Sequence, residues 1–185
     1  MTQKPRLLLT DAGAVIQAHR FDVWKHLCVS YDVVVPKLVV GEAAFFVGAD
    51  SVRHPIDLDA DLQAGTCQVY EAPVDEFRAT VMSLPPQLRA RVHDGELEAL
   101  TYLATHRTDG VAFVTADAGA VEAAVVMGIS DVPMSLEAAL AACGITKTLP
   151  YPHTEAFISE ARSRGGQTLV QFGMAIRSPK QKRSS

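Results

Sequence analysis

Four carboxylates, Asp11, Glu42, Glu96 and Asp117, stand where a soluble chain seldom places unpaired charge. Asp11 closes the apolar run RLLLT, and Asp117 follows the apolar run VAFVT. Glu42 and Glu96 fall inside helical patterns, each on the apolar side. At about 100° per residue, Leu38, Val39, Phe45 and Phe46 lie within about 60° of Glu42 on one wheel. Ala99, Leu100 and Leu103 lie within the same arc of Glu96, whereas Glu98 shares its face with Thr101, Tyr102 and Thr105 and is expected to be solvated. Asp94 falls near that polar side and suits an N-cap or a peripheral ligand. Carboxylates leave water only when they are paired or bind a metal. Two of them about 4 Å apart repel by roughly 4 kcal/mol at an effective dielectric of 20, which is large against a domain stability of about 5–15 kcal/mol. Four at the edge of one core therefore predict a divalent-cation site. All-oxygen ligation suits Mg²⁺ or Mn²⁺ rather than zinc. The six histidines form no His-x-x-x-His pair, and Cys28, Cys67 and Cys143 share no metal-ligand spacing.

Asp11 and Asp117 each follow a short apolar run and precede a helical pattern. In an open α/β sheet that edge, at the carboxyl ends of the strands, is where ligands sit. An Asp at a strand-to-helix junction is also a common N-cap, and taken singly each fits that simpler role. With two inward glutamates added, a shared site is the better explanation. The elements that must position these acids alternate strand and helix, which predicts an α/β fold with a parallel sheet. Strands are expected at residues 7–10, 33–35, 66–72 and 111–114, with a last short one in ISDVPMS. Helices are expected after Asp11 to about His19, from Phe21 to about Ser30, after Pro36, and over residues 73–84, 94–106 and 117–128. Pro85 and Pro86 break the chain between two of these. A further helix, capped by Ser135 and ended by Gly144, covers 136–143. Residues 48–64 carry no clear period. Residues 1–150 read as one domain, and 151–185 as an extension with a helix near 154–164 and a basic tail.

Bulk properties bound the answer. The chain of 185 residues is long enough to bury most of its apolar surface, and 48% hydrophobic against 21% charged residues is a globular composition. No apolar stretch approaches the roughly 20 residues of a membrane span, and MTQKPRLLLTD lacks a signal-peptide layout. With an odd number of scattered cysteines, this predicts a cytoplasmic protein. The net charge of −4 excludes a generally basic nucleic-acid binder, although bound metal would offset the clustered acids. Arg177, Lys180, Lys182 and Arg183 give the C-terminus a basic tail of the kind that more often solubilises than binds.

Four segments, LLLTDAGAVI, VVVPKLVVGEAAFF, HDGELEALTYLAT and VAFVTADAGAVEAAVVMGI, resemble in order and spacing the PIN-domain ribonucleases. The resemblance covers residues 6 to about 145 and implies a three-layer α/β/α sandwich with a central mostly parallel sheet. It implies Asp11, Glu42, Glu96 and Asp117 as the first to fourth acids, both catalytic and metal-binding, with Thr115 as the hydroxyl before the last acid. It further implies Mg²⁺- or Mn²⁺-dependent endoribonuclease activity on an RNA substrate, a homodimer, and a role as the toxin of a toxin–antitoxin pair with an antitoxin protein as partner. One departure is Ala12–Gly13, where many members carry Ser or Thr soon after the first Asp. The alternative is a catalytically degenerate PIN-like module that binds RNA or a protein. A receiver-type phosphotransfer domain fits least, because no DxDx[TV] motif or Gly-rich phosphate loop is present.

Overall fold

The computed structural model describes residues 8–106 and 110–172. The basic tail residues lie outside the described residues. Strand β1 (Leu8–Thr10) leads into helix α1 (Ala12–Arg20), and a turn through Asp22, at φ 56°, starts α2 (Trp24–Ser30). Then come β2 (Val33–Pro36), α3 (Lys37–Glu42), a hairpin of β3 (Phe45–Val47) and β4 (Arg53–Pro55), α4 (Leu58–Gln63) and β5 (Gln68–Tyr70). Helices α5 (Val74–Ser83), α6 (Pro86–Arg89) and α7 (Asp94–Thr105) precede β6 (Ala112–Val114) and α8 (Ala118–Val126). The chain closes with β7 (Pro133–Met134), α9 (Leu136–Ala142), a 3-10 turn at Tyr151–His153 and α10 (Glu155–Gln171).

The central sheet has the order β5-β2-β1-β6-β7, and every pairing in it is parallel. This is the α/β fold with a parallel sheet expected from the alternating pattern, in the three-layer α/β/α form that the resemblance implies. Side chains alternate along the strands and seed two cores. Val33, Val35 and Val114 face a cluster with Val15, Trp24, Leu27, Leu136 and Leu140 from α1, α2 and α9. Leu9, Val34 and Phe113 face the other side, against Leu97, Leu100, Leu103, Ala120 and Ala124 from α7 and α8. From β1 the chain builds outward through β2 and β5, then crosses back to β6 and β7 on the opposite flank. The strand order therefore reverses between β1 and β6. In open α/β sheets such a switch point, at the carboxyl ends of the strands, is where ligands sit.

Three expectations change. The helix opened after Pro36 stops at Glu42, and Phe45–Val47 is a strand of the separate hairpin. The Pro85–Pro86 break itself nucleates α6, since proline is well placed at a helix start. The helix expected near 154–164 runs on to Gln171 and packs along α8, with Ile158 and Ala161 buried against Val121. Among the described residues Cys28, Cys67 and Cys143 form no disulfide. Among the described residues no helix is long and apolar enough to cross a membrane.

Candidate functional site

Thr115 ties the two strand-end acids together. Its hydroxyl donates to Asp11 Oδ2 at 2.6 Å and accepts from the Asp117 backbone N–H at 3.0 Å. Asp11 follows β1 and Asp117 follows β6, so the pairing of these strands in register brings the two together at the switch point. Both are N-caps: Asp11 Oδ1 accepts from Ala14 N at 2.6 Å, and Asp117 Oδ1 from Ala120 N at 2.7 Å. Asp11 does more than cap. Its Oδ2 also accepts from the Ala116 N–H at 2.8 Å, stitching the end of β1 to the loop after β6. Only 2% of Asp11 is exposed. Burial raises its pKa above the ordinary carboxylate value, against the pull of these hydrogen bonds, and Asp117 adds to the rise.

Glu96 enters from α7, which lies across the same side of the sheet. It is 7% exposed, and its Oε2 is buried with no hydrogen-bond partner among the described residues. The nearest cationic candidate is the exposed His93, whose Nδ1 stands 3.6 Å away, beyond hydrogen-bond range. Burial, then Asp11, then Asp117 push the Glu96 carboxyl up to about 7. The Glu96 carboxyl thus feels the charge of both strand-end acids while its Oε2 lacks a hydrogen-bond donor.

Glu42 is placed differently from expectation. It is the last residue of α3 and is exposed, because the helix ends there and the wheel through Phe45 and Phe46 does not apply. Its carboxylate nevertheless lies over the start of α7: a Cβ built on Gly95 would be 3.4 and 3.6 Å from its two oxygens. Glu42 thus stands over Gly95, the chain neighbour of Glu96, at an exposed position rather than inside the core. Asp94 is an exposed first-turn residue of α7, and the N-cap position belongs to His93.

Glu98 overturns the wheel more completely. It is 3% exposed, and its two oxygens accept from Leu38 N and Ala72 N, each at 2.9 Å. It therefore ties the start of α3 to the chain after β5. The face it shares with Thr101 is not a solvent face, since Thr101 is fully buried and satisfies its hydroxyl on Leu97 O at 2.8 Å. A fifth acid, Glu122 of α8, went unnoticed in the sequence. It is 1% exposed and takes a bidentate pair from Arg91, at 2.9 and 3.0 Å, plus Arg164 Nε at 3.1 Å. Its place within the apolar run AVEAAVV was the available signal.

The donor set fits a hard cation in chemistry, being carboxylate oxygen throughout. A carboxylate offers about four acceptor sites. Asp11 spends three on the bonds described and Asp117 one, which leaves capacity on Asp11 Oδ1, on Asp117 and on Glu96. Among the described residues, however, no three His, Cys, Asp or Glu side chains are gathered into a ready-made cage for a metal ion. Comparison with protein-family models, curated proteins and solved structures finds no match.

Proposed function

We propose that this protein is a PIN-like endoribonuclease that hydrolyses RNA phosphodiester bonds with Mg²⁺ or Mn²⁺, acting as the toxin of a toxin–antitoxin pair. The observation that carries the reading is Glu96 Oε2, buried without a hydrogen-bond partner among the described residues, on a carboxyl close enough to Asp11 and Asp117 for both to raise its pKa. Asp11, Glu96 and Asp117 would hold the cation, with Glu42 joining from its exposed position. When bound, the cation supplies charge neutralisation at the phosphate and lowers the pKa of water. The chain's own residues then have separate tasks. Thr115 fixes the Asp11 carboxylate by donating to Oδ2, so the first acid cannot rotate away from the switch point. Glu96, protonated below about pH 7 in the free protein, releases that proton from its carboxyl when positive charge arrives. Water adds across the P–O3′ bond, leaving a 5′-phosphate on one fragment and a 3′-hydroxyl on the other.

A second reading has its own support. The absence of a ready-made cage, and the capping bonds already carried by Asp11 and Asp117, favour a degenerate module that binds RNA or a protein partner. One experiment separates the two. Purified protein is incubated with single-stranded RNA in Mg²⁺, Mn²⁺ or EDTA, alongside Asp11→Asn and Glu96→Gln. The nuclease reading expects cleavage that needs the metal and drops at least a hundredfold in either variant. Cleavage surviving EDTA, or equal in Glu96→Gln, would overturn it. RNA binding without cleavage by the wild type would establish the module instead.

A further inference from the structure

An acidic site that handles a polyanion needs a fixed cation beside it. The chain as a whole carries −4, so that cation must be supplied locally. From the arrangement around Glu122 we infer that Arg91 is the residue that grips an RNA phosphate next to the candidate site, and that buried Glu122 is the positioning residue that aims it. This rests on the nuclease or RNA-binding reading of the site above.

Arg91 sits between α6 and α7, two residues before His93, the N-cap of the helix that carries Glu96. Its backbone is pressed against the start of α8. A Cβ added at Gly119 would stand 2.6 Å from the Arg91 carbonyl oxygen and 3.0 Å from Asp117 Oδ1. Gly119 is thus the close-approach point where the Arg91 loop and Asp117 meet, and a side chain there would drive them apart. The side chain of Arg91 runs beside α8 to Glu122, and Asp117 is near enough to favour its charged form.

The pairing with Glu122 leaves Arg91 able to bind. A guanidinium offers five N–H donors in a rigid fork. Glu122 takes one from each terminal nitrogen of Arg91, and 53% of the Arg91 side chain stays exposed. Arg164, also on Glu122, is directed otherwise. Its Nη1 bonds Glu160 at 2.6 Å on its own helix, so it serves as the clamp between α10 and α8. Among the described residues Arg91 combines a fixed fork, open donors and a backbone packed at Asp117. The grip would be on a phosphate flanking the scissile one, independent of base identity.

The test measures binding and cleavage apart. Affinity of full-length protein for a fluorescein-labelled single-stranded RNA is followed by anisotropy, in the Glu96→Gln background with Mg²⁺, across a salt series. Arg91→Gln should weaken binding about tenfold and reduce the log K against log[salt] slope by roughly 0.7, the value for one single-strand phosphate contact. Arg91→Lys should keep the slope while recovering part of the affinity. Glu122→Gln should weaken binding with the slope retained, because the cation is present but unaimed. Arg164→Gln should lower the melting temperature and leave RNA affinity within twofold. An Arg91→Gln protein that melts lower but binds RNA with unchanged affinity and slope would overturn the inference and reduce the pair to a clamp. Absence of RNA binding by the parent protein would overturn it too. Arg91-dependent binding without cleavage in the otherwise wild-type chain would sink the nuclease reading alone.

Discussion

At the scale of single residues, Glu96 has the sharpest consequence. Its carboxyl titrates near about 7 in the folded chain, above the ordinary value of 4.5. Between these values the folded protein holds a proton that the unfolded chain releases, so stability falls as pH rises through the window. The penalty is absent below about pH 4.5 and complete above about pH 7. Melting curves in EDTA from pH 4.5 to 7.5 should therefore show a falling melting temperature, and Glu96→Gln should flatten that fall. Asp11, whose pKa is also raised above its ordinary 3.8 by burial, contributes in the same direction. A Glu96→Gln protein with the wild-type slope would mean that Oε2 finds water and carries no penalty. The inward placement of Glu96 was legible because its neighbours Ala99, Leu100 and Leu103 are all fully buried. The full engagement of Asp11 was not legible, since Thr115 and Ala116 reach it across more than a hundred residues of chain.

At the scale of elements, the strands and their acids were readable and the helix faces only in part. Short apolar runs ended by Asp mark β1 and β6, because a strand buried on both faces needs no alternation. The run GEAAFFV fits a helical and a strand period equally, and no proline or glycine separates Glu42 from Phe45. Extending the wheel through it put Glu42 inward when the helix had already ended. For α7 the wheel failed for another reason: the helix is buried from Gly95 to Thr101, so polar residues on its second face are satisfied internally and not by water. Glu98 is the case that tests this. Glu98→Ala should strip acceptors from Leu38 N and Ala72 N and destabilise the protein by about 2–4 kcal/mol, in Mg²⁺ and EDTA alike. A change below about 0.5 kcal/mol, measured by urea titration, would restore the solvated assignment. Helix α10 offers a paired test of packing. A Cβ on Gly165 would lie 2.8 Å from Val125 Cβ and 3.1 Å from Glu122 Cα, whereas Gly166 has open space. Gly165→Ala should cost about 1–3 kcal/mol through overpacking. Gly166→Ala should gain about 0.5–1 kcal/mol from helix propensity. Equal effects in denaturant melts would show that α10 does not press on α8.

At the scale of the whole molecule, the position of the switch point follows from strand order alone, but what stands behind it depends on the C-terminal helix. Composition marked 151–185 as an appendage because its apolar residues are sparse and its tail is basic. In the fold, α10 covers Val121 with Ile158 and Ala161, and sends Arg164 to Glu122 on the helix that Asp117 caps. A chain ended at Pro150 would lose both. Fully burying an aliphatic side chain is worth about 1.5–3 kcal/mol, so losing Ile158 and Leu169 and uncovering Val121 removes several kcal/mol. Leaving Glu122 with Arg91 alone adds to that, since a buried carboxylate loses one of its two cationic partners. The sum approaches the roughly 5–15 kcal/mol that such a domain has in total. Residues 1–150 should therefore fail to give a cooperative melt, or should melt far below the full chain. They should also lose any RNA cleavage with the fold. If 1–150 instead melts cooperatively near the full-length temperature, α10 is an attachment and the support of α8 comes from the sheet and α7. Adding Glu122→Leu to the truncated chain distinguishes the two losses. Recovery of the melt would assign the damage to the stranded charge, and no recovery would assign it to the uncovered apolar face.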